Sequence, residues 1–92
     1  GQAAARQCAI NILAQVKTAL DGDLDRVVRC VRLTGFVNCT PDFGAQPQVV
    51  NGASDLMVAV FGDAGRHARA AVGSVSLPRN VAVEVDAIFE VN

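Results

Sequence analysis

The segment from Val81 to Val91 has the clearest period-two pattern in the chain, and it limits the possible folds more than any other part. Every second position is apolar, at Val81, Val83, Val85, Ala87, Phe89 and Val91, and the positions between them are Ala82, Glu84, Asp86, Ile88 and Glu90. A period of two predicts a β-strand with one face on the core. The chain must therefore contain a sheet, and its other elements must cover the valine row.

A second extended run, residues 67–73, precedes this strand and is separated from it by a Pro-Arg-Asn turn. We predict that the two runs form a β-hairpin. With a two-residue loop, Arg69 lies on the same face as Glu84 and Asp86, whereas one bulge reverses this parity. On the first parity, Arg69 forms either a cross-strand ion pair or a bidentate site for a ligand carboxylate. The face shared with these residues also includes His67, Ala71, Gly73, Ile88 and Glu90.

Two helices and a third strand complete the predicted order. Apolar residues at intervals of three and four predict helices over Ala3–Leu20 and from Pro47 to about Phe61. β-Branched and aromatic residues favour a strand over Val27–Asn38, although arginines at every third position leave a helix open. The order α-β-α-β-β predicts one α+β domain over residues 1–92, with both helices on one face of a small mixed sheet.

Two glycines inside these elements indicate close contacts. Gly35 marks either a bulge or a close backbone approach within its strand. Gly52 lies inside the second helix, where glycine costs about 1 kcal/mol relative to alanine. We expect another segment, for example another chain, to approach this position closely.

The composition of the chain limits the classes of partner that it can bind. The net charge is −1, which gives no global electrostatic basis for binding nucleic acid or an anionic membrane. No apolar run reaches the length of about 20 residues that a membrane span needs. Hydrophobic residues make up 51% of the chain and the mean hydropathy is +0.32, so we expect apolar surface to contact a partner. The three cysteines, which have no metal-binding spacing, are typical of reduced cytoplasmic thiols, and we expect no metal site.

No catalytic motif stands out. The chain has a single histidine, His67, and no tyrosine or tryptophan. We expect His67 to be a surface or edge residue. Ser54, Ser74 and Ser76 have no evident base partner, and there is no phosphate-binding loop.

The segment HARAAVGSVSLPRNVAVEVDAIFEV resembles the hallmark segment of the Rid/YjgF family, whose members include imine deaminases and are often described as L-PSP endoribonucleases. Ala68-Arg69, Val72, Leu77-Pro78 and the run Glu84 to Ala87 fit the family pattern in order and spacing. Upstream, Val50-Asn51 matches a Val-Asn pair. The resemblance covers the whole chain and is closest to a longer, poorly characterised bacterial branch.

This resemblance implies a chorismate-mutase-like α+β fold that assembles as a homotrimer, with a central barrel and clefts between subunits. In the deaminases, the arginine matching Arg69 holds the substrate carboxylate and the glutamate matching Glu84 lies near the site, where it orders water. Asn51 and Ala71 match substrate-binding positions. The implied substrates are 2-imino or 2-enamino acids, which are hydrolysed to 2-keto acids and ammonia without a cofactor.

The family also begins with two strands that contribute a tyrosine and a Ser-Gly pair, and this sequence contains neither those strands nor any tyrosine. We expect that N-terminal hairpin in the parent gene. We also keep open a non-catalytic trimer that binds a small carboxylate and, more distantly, an endoribonuclease.

Overall fold

The computed structural model describes all 92 residues and contains two helices and three strands. The elements are α1 (Gln2–Ala19), β1 (Val27–Asn38), α2 (Gln46–Phe61), β2 (Ala68–Ser74) and β3 (Val83–Val91), with short 3-10 turns at Leu24–Arg26, Gly62–Gly65 and Pro78–Asn80. The predicted α+β class and element order are confirmed. Neither helix has the length and apolar character that crossing a membrane requires.

The strands form a mixed sheet in the order β2-β1-β3, so the predicted hairpin between β2 and β3 is wrong. Strand β1 runs parallel to β2 and antiparallel to β3, and Leu33 lies between Arg69 and Ala87. The physical reason is that β1 is long and apolar enough to be hydrogen-bonded along both edges, which makes it the central strand. The Pro-Arg-Asn segment therefore carries the chain across the end of β1.

Asn38, at the end of β1, fixes this crossing segment. Its backbone N–H donates to the Ala82 carbonyl at 2.9 Å. Its side-chain amide donates to the Asn80 amide oxygen at 3.2 Å and to the Val81 carbonyl at 3.0 Å. Arg79 and Asn80 both have positive φ values, 57° and 56°, and form a tight turn in which the Val81 N–H donates to the Pro78 carbonyl at 3.4 Å.

Both helices pack on one face of the sheet. The core joins Cys30, Leu33 and Val83 of the sheet to small and apolar residues of the helices, namely Ala5, Ala9, Ala53, Leu56 and Met57. The valine row of β3 faces these helices, as predicted. The opposite face, which we call the open face, carries the alternate residues of each strand: Ala68, Ala70, Val72, Ser74, Arg32, Thr34, Phe36, Asn38, Glu84, Asp86, Ile88 and Glu90.

The two interior glycines lie at close contacts within the chain. A Cβ atom on Gly35 would overlap the fully buried side chain of Val50 in α2. A Cβ atom on Gly52 would overlap the backbone carbonyl of Gln2 in α1. The segment that approaches Gly52 is therefore the first helix of the same chain, which lets α1 and α2 pack side by side.

Candidate functional site

Arg69 lies on the helix-covered face of β2, under the first half of α2. One terminal nitrogen of its guanidinium, Nη1, donates to Ser54 Oγ at 3.1 Å, and the other, Nη2, donates to the Pro47 carbonyl at 3.3 Å. The two ion pairs of the structure join Arg29 to Glu90 and Arg66 to Asp63. Arg69 thus has no carboxylate partner within the chain.

The guanidinium opens onto a cavity of about 250 Å³ between α2 and the start of β2. We call it the Arg69 cavity, and it is lined by Asn51, Ser54, Val58, Arg66, His67 and Arg69. The lining contains two arginines and no aspartate or glutamate, so its electrostatic character favours an anion. Its volume suits a molecule smaller than the drug-sized ligands that fill cavities of about 300–1,000 Å³.

The cavity brings together two of the four predicted site residues, Arg69 and Asn51. Ala71 lies on the same face of β2, opposite Gly35, but outside the cavity lining. Glu84 is exposed and belongs to the open face, where it pairs in register with Phe36. Within one chain, Arg69 and Glu84 therefore lie on opposite faces of the sheet, and the predicted cross-strand pair between them is wrong. The prediction was wrong because it paired β2 with β3, whereas β2 pairs with β1.

A Ser54–His67 contact adds two polar residues to the cavity that were not predicted as site residues. Nε2 of His67 lies 2.9 Å from Ser54 Oγ, and Nδ1 of His67 contacts the Gly65 carbonyl oxygen. A carbonyl oxygen only accepts hydrogen bonds, so Nδ1 carries a proton, and in this tautomer Nε2 is the ring nitrogen that can accept a hydrogen bond. The Ser54 hydroxyl then donates to His67 while accepting from Arg69.

The prediction that Ser54 has no base partner is wrong, because the 3-10 turn at Gly62–Gly65 brings residues thirteen positions apart into contact. A signal was present in the sequence. Asn51, Ser54 and Val58 share one face of a helix at intervals of three and four residues, and His67 and Arg69 share one face of a strand. Only the packing of α2 over that strand brings the two sets of residues together into one site.

Glu84 lies at a different cavity, a mostly apolar groove of about 390 Å³ between α1 and β3. Cys8 lines the same groove and donates from Sγ to the Val83 carbonyl at 3.6 Å. Burial raises the pKa of the Cys8 thiol, and the nearby Glu84 carboxylate raises it further. Cys8 is therefore a packed thiol that is held in its neutral form. No three His, Cys, Asp or Glu side chains converge in a way that could hold a metal ion.

Comparison with known proteins matches essentially the whole chain to one family. The sequence model of the family described as YjgF/chorismate mutase-like, putative endoribonuclease matches residues 1–91. Protein TCP17 of Trypanosoma cruzi is 58% identical over 93 residues, which cover 100% of this chain and 58% of that protein.

Two solved structures share the fold. The crystal structure of Atu1372, a protein of unknown function from Agrobacterium tumefaciens, has a TM-score of 0.97 and 57% identity, and covers 99% of this chain and 57% of that one. A structure described as a putative endoribonuclease from Shewanella oneidensis has a TM-score of 0.93 and 36% identity, over 99% and 60% of the respective chains. The chain spans less than two thirds of the length of each of these relatives.

Proposed function

Because the chain belongs to the YjgF/chorismate mutase-like family, we propose that it hydrolyses small 2-imino or 2-enamino acids to 2-keto acids and ammonia at the Arg69 cavity. The observation that carries the proposal is a half-buried guanidinium that faces a small cavity and has no carboxylate partner. In this proposal the substrate carboxylate takes the place of that partner, and no cofactor takes part.

The hydrogen bonds of Arg69 support carboxylate capture. A guanidinium has five N–H donors in a planar fork. Two donors are used by the Ser54 hydroxyl and the Pro47 carbonyl, which fix the orientation of the fork. The remaining donors can bind a carboxylate, and the Asn51 amide lies in the same lining for the imine nitrogen or the keto oxygen. Holding the substrate in one orientation lowers the entropic part of the barrier.

For Glu84 to take part in the reaction, the proposed site must be built from two subunits. Glu84 and Arg69 lie on opposite faces of the sheet within one chain. In the proposed homotrimer, Glu84 of the partner subunit orders the attacking water beside the imine carbon. The open face favours such an assembly, because Val72 and Ile88 expose 42% and 58% of their surface on it.

A second candidate function is a trimer that binds a small carboxylate without converting it. One observation favours it: the lining of the Arg69 cavity contains no carboxylate that could accept a proton from water. A third candidate is ribonuclease activity, which the description of the family suggests and which Arg66, His67 and Arg69 could serve by contacting phosphate.

A coupled assay that follows the loss of 2-aminoacrylate and the appearance of pyruvate tests the proposal. The wild-type protein should accelerate the reaction and Arg69→Ala should not. Arg6→Ala, an exposed arginine on α1, is the matched control and should keep full activity. No acceleration by the wild type, or equal rates for wild type and Arg69→Ala, would refute deaminase activity at this site.

A further inference from the structure

We propose that Ser54 and His67 form a nucleophile–base pair that gives this protein a second activity, the transfer of acyl groups from small activated esters to Ser54. This inference rests on the geometry of the two side chains and does not require imine hydrolysis.

The contact between the two residues has the arrangement that activates a serine. A serine nucleophile needs a base within hydrogen-bond reach, and that base needs a third group to orient it. Nε2 of His67 lies 2.9 Å from Ser54 Oγ, and the Gly65 carbonyl binds Nδ1 and fixes the tautomer. The Gly65 carbonyl here takes the orienting position that a carboxylate holds in a catalytic triad.

The guanidinium of Arg69 distinguishes this pair from an ordinary serine–histidine hydrogen bond. Its Nη1 donates to the same Ser54 Oγ at 3.1 Å, so a fixed positive charge stands beside the atom that becomes the nucleophile. This charge favours the partial negative charge that develops on Oγ as its proton moves to His67. The free N–H groups of Arg69 and the amide of Asn51 are then available as donors to the ester oxyanion.

The setting is rigid and accessible. Ser54 lies in the middle of α2, between the fully buried Ala53 and the buried Leu56, so the helix holds its Cα in place. Its own side chain is half-buried and lines the Arg69 cavity together with Val58. A cavity of about 250 Å³ accepts a short acyl group and excludes long chains, which limits the substrates to small esters.

The reaction consumes only the ester and water. Ser54 Oγ bonds to the ester carbonyl carbon while its proton passes to Nε2 of His67. The carbon–oxygen bond to the leaving group then breaks, and His67 gives the proton to the departing oxygen, or to solvent when a phenolate leaves as an anion. In the second step water bonds to the acyl carbon while His67 accepts a proton from it, and His67 returns this proton to Ser54 Oγ as the acyl–oxygen bond breaks and the carboxylic acid leaves.

Two probes test the proposal on the purified protein. Reaction with p-nitrophenyl acetate should release a burst of p-nitrophenolate, one equivalent per chain. An alkyl fluorophosphonate should form one adduct, which peptide mass spectrometry should place on Ser54. Here Oγ bonds to phosphorus, fluoride leaves, and the proton passes to His67.

Three variants separate the proposed roles. Ser54→Ala should abolish the adduct. His67→Gln keeps a side chain that can hydrogen-bond but is not a base, and it should slow labelling by about a hundredfold or more, the usual contribution of a general base. Ser76→Ala removes an exposed serine and should label at the wild-type rate. Thermal unfolding of each variant checks that the fold is intact.

The wild-type adduct decides the proposal even if a variant fails to fold. Absence of a Ser54 adduct in the wild type, adducts spread over other residues, or wild-type labelling of a folded His67→Gln variant would overturn it. None of these outcomes bears on the 2-aminoacrylate assay, so the failure of one proposal is distinguishable from the failure of the other.

Discussion

Gly52→Ala should destabilise the protein, although alanine is the better helix former. Helix propensity alone predicts a gain of about 1 kcal/mol. The new Cβ, however, would lie 2.9 Å from the Gln2 carbonyl carbon and 3.1 Å from the Gln2 Cα, and closer still to the carbonyl oxygen. Ordinary contacts between carbon atoms lie at about 3.5–4.0 Å. Because these are backbone atoms, no side-chain rotation relieves the overlap, and α1 must move away from α2.

The size of the effect follows from what this movement separates. Ala5, Ala9 and Ala53 are fully buried in the core that the two helices share. A gap of about 0.5–1 Å forfeits a quarter to a half of the dispersion attraction across it. Overpacking of this kind costs about 1–3 kcal/mol, and a backbone obstacle places Gly52→Ala in the upper part of that range. After subtraction of the propensity gain, we expect a net loss of about 1–2 kcal/mol.

Thermal unfolding followed by circular dichroism measures this loss. For a domain of this size, 1 kcal/mol lowers Tm by about 4–8 °C, so Gly52→Ala should unfold about 5–15 °C below the wild type. Gly44→Ala is the control, because no atom lies within 4 Å of its Cβ position and its φ is not positive. It should leave Tm unchanged or raise it slightly. A Tm for Gly52→Ala equal to or above that of the wild type would refute the close approach of α1.

The contact between Gly35 and Val50 predicts that Gly35→Ala lowers the free energy of unfolding. Adding Val50→Ala should recover part of this loss, because it removes the methyl groups that the new Cβ meets. Urea unfolding measures both effects, and a double variant whose loss equals the sum of the two single losses would contradict the contact. The raised pKa of Cys8 means that the folded protein holds the thiol proton to higher pH than the unfolded chain does, so this contribution to stability is present below the ordinary thiol pKa and is lost as pH rises through the folded value. Glu84→Gln should lower the Cys8 pKa in part and speed its alkylation by iodoacetamide at mildly alkaline pH, whereas Asp86→Asn should have a smaller effect, and equal rates in both variants would contradict the role of Glu84.

The helices and strands could be predicted from the sequence, because each shows a regular spacing of apolar side chains among residues that are close along the chain. The alternation in β3 and the helical spacing in α1 and α2 gave the right element types and nearly the right bounds. The partners of β2 could not be predicted in this way, because strand pairing depends on which strand is buried along both edges. One wrong pairing placed Arg69 on the face of Glu84, when its side chain lies under α2.

The site was predicted only in part, for the same reason. Arg69 and Asn51 were predicted as site residues from the family resemblance, and both line the Arg69 cavity. Ser54 and His67 could not be predicted as a pair, because a serine and a lone histidine come into contact only when a turn and a parallel strand bring them together. The spacing within each element places these residues on one face of α2 and on one face at the start of β2, but no spacing in the sequence shows that the two faces meet.

Calorimetric titration of 2-ketobutyrate into the purified protein tests most directly whether Arg69 binds a carboxylate. A charge-assisted hydrogen-bonded pair is worth about 1.5–3 kcal/mol, so Arg69→Ala should weaken binding by roughly ten- to a hundredfold or more. Arg69→Lys should recover little of this, because one ammonium group cannot reproduce a bidentate fork. Arg6→Ala should bind as the wild type does. Measurable binding with equal affinity in wild type and Arg69→Ala would contradict the account, because Arg69 would then serve only to tie β2 to α2.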